Sequence, residues 1–214
     1  MIGAGLNRAL LSGMLELEPF LSHAAHNERF YQTVLQCARK SGVIDQIPIV
    51  ISESVLLRDG IGCGCGWFVE GQVRSVMLRD EADDSARLMV AVYAKRCWPA
   101  DEDTVSTNQI TLCGKLWRDP VYRTTPLQRE ICDMMLCVPR THGRHDRIPC
   151  ITWGACARYA GQLEQGDMIS VEGRMQSRTY TKKLPDGAEL NRMVYEVSVA
   201  KFSRLGSLAG GVDE

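Results

Sequence analysis

The residues best suited to chemistry in this 214-residue chain lie in its second half. Trp117, Trp153 and Tyr180 are interleaved there with Lys115, Arg174 and Arg178. Flat rings offer faces on which bases stack, and cations follow a line of phosphates. Along VEGRMQSRTY, the side chains of Arg174, Gln176, Arg178 and Tyr180 recur every second residue, so in a strand all four leave from one face. The segment PRTHGRHDR, residues 139–147, adds Arg140, Arg144 and Arg147. TKKLPDGAELNR adds Lys182 and Lys183 ahead of a Pro-Asp-Gly turn.

Covalent and metal chemistry find no comparable set. Cys63-Gly64-Cys65 is one residue too close for a C-x2-C zinc pair, and no second pair stands at a suitable distance. Gly62, Gly64 and Gly66 do not make a phosphate-binding G-x-G-x-x-G. No nucleophile elbow, phosphate loop or paired carboxylates occur. The chain is therefore read as a binder and not an enzyme, with no metal and no cofactor. Nine cysteines in no regular framework suit a reducing cytosol, most of them as small buried apolar residues. No apolar run of about 20 residues predicts a membrane span. The start, MIGAGLNRALLSGML, lacks a basic n-region, so no signal peptide is expected.

The elements that must position the rings come from a repeat. DRIPCITWGA at 146–155 answers DQIPIVISES at 45–54. With a shift of 101, residues 7–53 match residues 108–154 at eleven of 47 positions, against about three by chance. The identities include Asn7/Asn108, Gly13/Gly114, Leu15/Leu116, Gly42/Gly143, Asp45/Asp146 and Pro48/Pro149. Two domains follow, residues 1–104 and 105–214, joined near CWPADEDTVSTN. In the second, Ile110/Leu112/Gly114/Leu116, Arg129–Val138, Ile148/Cys150/Thr152, Ile169/Val171/Gly173/Met175 and Tyr195/Val197/Val199 read as five strands. ACARYAGQLEQG between the third and fourth strands predicts a short helix closed by Gly166. That order is an OB-fold barrel, so the fold class is all-β, two tandem OB-fold barrels. In the first copy RDGIGCGCG stands in the helix position, and its four glycines predict no helix.

The second copy resembles the bacterial single-stranded DNA-binding protein family. NQITLCGKLWRDPVYRTTP, IPCITWG and VEGRMQSRTY carry the likeness, over most of residues 108–202. The first copy shares only IPIVIS and FVEGQVRS, and the whole chain looks like the two-barrel form of some Gram-positive bacteria. The resemblance implies sequence-tolerant binding of single-stranded DNA in replication, repair or recombination, a cytoplasmic, nucleoid-associated location, and an assembly of four barrels. It also implies stacking roles for Trp153 and Tyr180. Where the family often has a tryptophan this chain has Arg147, so weaker binding than is typical is expected. GSLAGGVDE is not the acidic, apolar-tipped tail common in the family, and recruitment of replication or repair proteins through such a tail is not expected.

The outward positions separate the two copies. Lys115, Trp117 and Trp153 face Met14, Glu16 and Ser52 in the repeat alignment. Residues 1–104 hold 10 basic and 14 acidic residues, a net −4, and residues 105–214 hold 15 and 12, a net +3. Phosphates should therefore approach the second barrel and leave the first for assembly. Blander roles stay open. Trp117 and Trp153 would also suit a subunit interface. Arg174 and Arg178 would also pair with Glu172 or Glu196. Lys182 and Lys183 fit a solvated hairpin tip. The second reading is a primosome-like protein-interaction module that binds no nucleic acid usefully. Met14, Val76 and Leu78, outward on the first barrel, predict a homodimer supplying four barrels.

Overall fold

The computed structural model describes residues 5–79, 86–101, 106–183 and 189–206, with the side chains of His142, Lys182 and Lys183 excepted. The acidic RDEADDSAR hairpin, the join near 102–105, the Pro-Asp-Gly turn and the final GSLAGGVDE lie wholly or largely outside these residues. The first half runs β1 (Asn7–Leu15), β2 (Phe20–Ala25), β3 (Glu28–Ala38), β4 (Ile44–Ser52), α1 (Glu53–Asp59), β5 (Gly66–Arg79) and β6 (Ala86–Ala100). The second repeats it as β7 (Asn108–Leu116), β8 (Val121–Thr124), β9 (Glu130–Pro139), β10 (His145–Trp153), α2 (Ala155–Ala160), β11 (Met168–Lys183) and β12 (Glu189–Arg204).

Each half closes on itself. β4 runs parallel to β6, and β10 parallel to β12. β1 reaches β3 at Leu15 opposite Leu35, and β7 reaches β9 at Leu116 opposite Leu136. Closure demands that two backbones nearly touch. A Cβ on Gly13 would lie 2.1 Å from the Gln36 carbonyl oxygen, and one on Gly114 2.3 Å from that of Cys137. This shared requirement explains the Gly13/Gly114 identity. Alternating residues fill the interiors as their period requires: Leu11, Leu35, Ile47, Ile49 and Ile51 in one barrel, Leu112, Leu136, Ile148, Ile169 and Met175 in the other. Burial of each such side chain contributes about 1.5–3 kcal/mol.

Three details depart from the sequence reading. Each barrel has a sixth, short strand, β2 or β8, hairpinned onto the next one. The first barrel does have a helix. α1 begins one step upstream of the glycines, where the Ser52 hydroxyl caps the Val55 amide, and Gly60 closes it at φ 65°. The glycine cluster therefore marks the end of a helix and not its absence. In the second barrel Gly161, not Gly166, caps α2.

The two barrels share one continuous sheet through antiparallel β1 and β7. Ala9 lies opposite Ile110, its own counterpart in the repeat, so an approximate two-fold axis passes between them. The amide of Asn7 exchanges two 2.8 Å bonds with the Val73 backbone, and that of Asn108 does the same with Met175. Around the same axis each barrel inserts an aspartate into the other. Asp45, fully buried, accepts from Arg39 of its own barrel and from the Ser177 amide (2.9 Å) and Arg174 (3.2 Å) of the second. Asp146, also fully buried, accepts from Arg140 of its own barrel and from the Ser75 amide (2.6 Å) and Arg74 (3.1 Å) of the first. Thus the identities in the repeat divide by physics: leucines and isoleucines fill cores, each Asn ties two strands of its own barrel, and Arg and Asp join the barrels.

Candidate nucleic-acid interface

The outward row across β7, β9 and β10 is set by register. Lys115 pairs with Cys137, and Cys137 with Arg147, so the two cations flank one position on adjacent strands. Partial burial pushes the Cys137 thiol up, against the pull of Arg147 and Lys115 beside it. Trp117 leaves β7 just beyond, its amide donating to the Met135 carbonyl at 2.8 Å. The Arg147 guanidinium lies 4.1 Å from the Trp117 ring centroid, a cation–π contact that fixes the indole plane. Arg147 is itself fixed from the first barrel, because its amide donates to the Ser75 hydroxyl at 2.8 Å.

Trp153 ends β10 on the same outward parity as Arg147, six residues on, about 20 Å at the rise of a strand. Its ring is 41% exposed and that of Trp117 45%. The rings thus stand at two ends of one barrel face. Tyr180, 37% exposed, stands on β11 opposite Arg192 of β12. Two residues before it, Arg178 Nε donates to Glu196 Oε1 at 3.1 Å while staying half exposed. Gln176 is buried and donates to that same oxygen at 2.8 Å.

The eleven residues singled out from the sequence therefore separate. Lys115, Trp117, Arg147, Trp153, Arg178 and Tyr180 lie outward on the second barrel. Arg140, Arg174 and Gln176 do not form part of that face: the first two hold Asp146 and Asp45 at the joint, and Gln176 accepts from Arg174 at 3.0 Å. Burial, with Arg39 close by, pushes the Arg174 pKa down, while the bond to Asp146 pushes that of Arg140 up. An alternating pattern gives the face of a strand but not what covers it, and here the neighbouring barrel does. Lys182 and Lys183 pair through their backbone with Leu190 and Glu189, and their side chains lie outside the described set.

Sequence reasoning missed Arg39, Arg74, Ser75 and Ser177, all at the joint. The repeated Arg and Asp were a usable signal, since paired opposite charges retained in two otherwise divergent copies point to a shared structural bond. Among the described residues no group of three or more His, Cys, Asp or Glu could hold a metal ion. Of the cysteines, Cys37, Cys97, Cys113, Cys132 and Cys150 are buried, and burial pushes the Cys37 and Cys97 thiols up to about 12. Among the described residues no helix is long and apolar enough to cross a membrane.

Two closed barrels, each with a helix between the third long strand and the last hairpin, and one with rings and cations on its outer face, define a tandem OB-fold protein. Residues 107–205, the second barrel, match the Single-strand binding protein family. The chain is 32% identical over 111 residues to the single-stranded DNA-binding protein of Neisseria meningitidis serogroup A, covering 48% of this chain and 62% of that one. It is 35% identical over 80 residues to single-stranded DNA-binding protein A of Bacillus subtilis, covering 34% and 46%. The matches thus span less than two thirds of these relatives. The fold is similar over both barrels to wild-type single-stranded DNA binding protein from Thermus aquaticus, at TM-score 0.75, 23% identity and 95% coverage of each chain.

Proposed function

We propose that this chain binds single-stranded DNA with little sequence preference, in replication, repair or recombination, through the outer face of its second barrel. Trp117, Trp153 and Tyr180 stack on bases, and Lys115, Arg147 and Arg178 meet phosphates, with Lys182 and Lys183 extending the path along the β11–β12 hairpin. The observation that carries this reading is the Trp117–Arg147 pair. An exposed indole held flat by a guanidinium, with a second exposed indole about 20 Å along the same face, is a base-stacking platform bordered by charge. The units are residues 1–104 and 105–214, and the protein is a binder and not a catalyst. It works in the cytoplasm on the nucleoid.

A second copy completes the assembly. Met14 and Phe20 of the first barrel are each about half exposed, and this favours a homodimer of four barrels. Light scattering at micromolar protein tests it, with twice the chain mass expected and a strict monomer opposed. DNA binding is tested by titrating oligo-dT at several salt concentrations. The log–log slope should fall by roughly 0.7 for each phosphate neutralised. Binding that ignores salt and survives Trp153→Ala would overturn the reading.

A further inference from the structure

The two joints between the barrels are built alike, yet only one opens onto the following combination. Beside Asp146, a cavity of about 400 Å³ is lined by Arg74, Arg140, Arg144, His26, Thr141 and Tyr93. Asp146 supplies one carboxylate to two guanidinia, so Arg74 and Arg140 leave a surplus positive charge before Arg144 and His26 are counted. A guanidinium has five N–H groups. The bonds from Arg74 and Arg140 to Asp146, Gln72 and Ser75 leave donors over for a ligand.

Around Asp45 the repeat places different residues. Val43 stands for Arg144, Leu127 for His26, Ser198 for Tyr93, and Lys40 for Thr141. Shared architecture therefore does not demand the ring, the extra arginine or the histidine. His26 is presented by a two-residue β2–β3 turn in which it and Asn27 both take positive φ, 52° and 61°.

The cavity does not end at the joint. Tyr93 and Arg74 also line a neighbouring groove of about 370 Å³ that runs over the first barrel past His23, Val76, Leu78 and Met89. Two of the lining residues, His23 and Tyr93, carry rings that each neighbour Phe30. His23 stacks on Phe30 with centroids 4.9 Å apart and planes within 8°, and Phe30 lies 6.4 Å from Tyr93. On the other side, the Ser75 hydroxyl holds the Arg147 amide and so adjoins the Trp117 platform.

We infer that the cavity beside Asp146 is a phosphate subsite, where a single strand leaving the second barrel crosses onto the aromatic groove of the first. The inference rests on the binding function proposed above and extends it. The first barrel then has its own stacking row, at positions where the second has Ile131, Thr124 and Ser198. Comparison of counterparts, position by position, hides it.

The test uses the full chain and three variants: Arg144→Glu, which leaves the buried aspartate bonds intact, His23→Ala in the ring row, and Val43→Glu at the matching position of the other joint. Affinity is measured for oligo-dT of rising length, starting from one that fills a single barrel, about ten nucleotides. The wild type and Val43→Glu should gain affinity with length past that point. Arg144→Glu should lose at least tenfold for the long oligonucleotide, reduce the salt slope by about 0.7, and bind the short one as the wild type does. His23→Ala should weaken only the long one. Equal losses in Val43→Glu and Arg144→Glu would overturn the inference, as would none in either. Calorimetry with inorganic phosphate separates the sources. Phosphate binding lost in Arg144→Glu with unchanged long-strand affinity would overturn the crossing of the strand and assign the cavity to the free anion instead. Failure of the short oligonucleotide to bind the wild type would refute the proposed function itself, so the two failures are distinguishable.

Discussion

Replacement of Asp146 by Asn tests how the barrels are held together. The carboxylate is fully buried and accepts from the Ser75 amide at 2.6 Å, from Arg140 Nε at 2.5 Å and from Arg74 at 3.1 Å. Asparagine keeps the volume and one acceptor for the amide but removes the charge that two guanidinia face. Breaking a buried ion pair from one side costs about 3–5 kcal/mol. Both arginines are about a quarter exposed and recover part of their hydration, which lowers the expected loss to about 2–4 kcal/mol. For a chain of this length each kcal/mol moves Tm by about 2–4 °C, so a fall of roughly 4–16 °C is predicted. Urea unfolding and calorimetry at neutral pH give both quantities. Asp45→Asn should cost a similar amount, since its partners repeat those of Asp146. A loss below about 0.5 kcal/mol in either variant, the range of ordinary surface changes, would refute the argument.

Trp153→Ala should weaken oligo-dT binding about 5- to 150-fold, the equivalent of 1–3 kcal/mol for one stacked base, while urea unfolding moves little because the ring is 41% exposed. Gly114→Ala places a Cβ 2.3 Å from the Cys137 carbonyl oxygen, and the strands must part; a loss of at least about 2 kcal/mol is expected in the same assay. The Asp59 carboxyl is held below its ordinary range chiefly by Arg58, with help from the Cys97 amide at 2.7 Å. Its folded pKa lies under its unfolded one, so its stabilisation is present above about pH 4 and disappears as pH falls through the folded value. Asp59→Asn should flatten that part of a stability-versus-pH curve, and an unchanged acid limb would count against the assignment.

Much of the fold was legible because period-2 patterning, turn residues and a repeat depend on local chemistry. Ile47/Ile49/Ile51 and Ile148/Cys150/Thr152 announce buried strands by their spacing alone. α1 was hidden because the glycines after it dominated the window, whereas its start depends on one hydroxyl, that of Ser52. The outward placement of Trp117 and Trp153 followed from alternation. The engagement of Arg140, Arg174 and Gln176 did not, because it depends on how one barrel docks against the other. Alternation says which way a side chain leaves the strand, and only tertiary contacts say what it meets. The row His23–Phe30–Tyr93 was missed for the same reason, since β2, β3 and β6 converge only in the folded barrel.

The central claim is that the exposed rings of the second barrel hold unpaired bases beside their cations. Intrinsic fluorescence tests it directly, because the four tryptophans differ in setting. Trp67 is buried with Nε1 bonded to the Gly62 carbonyl, Trp98 stacks on Phe68, and Trp117 and Trp153 are exposed. Oligo-dT should quench the wild type strongly at low salt and weakly at high salt, and should scarcely quench the Trp117→Phe, Trp153→Phe double variant. Quenching that persists undiminished in that variant, or that is indifferent to salt, would contradict the account.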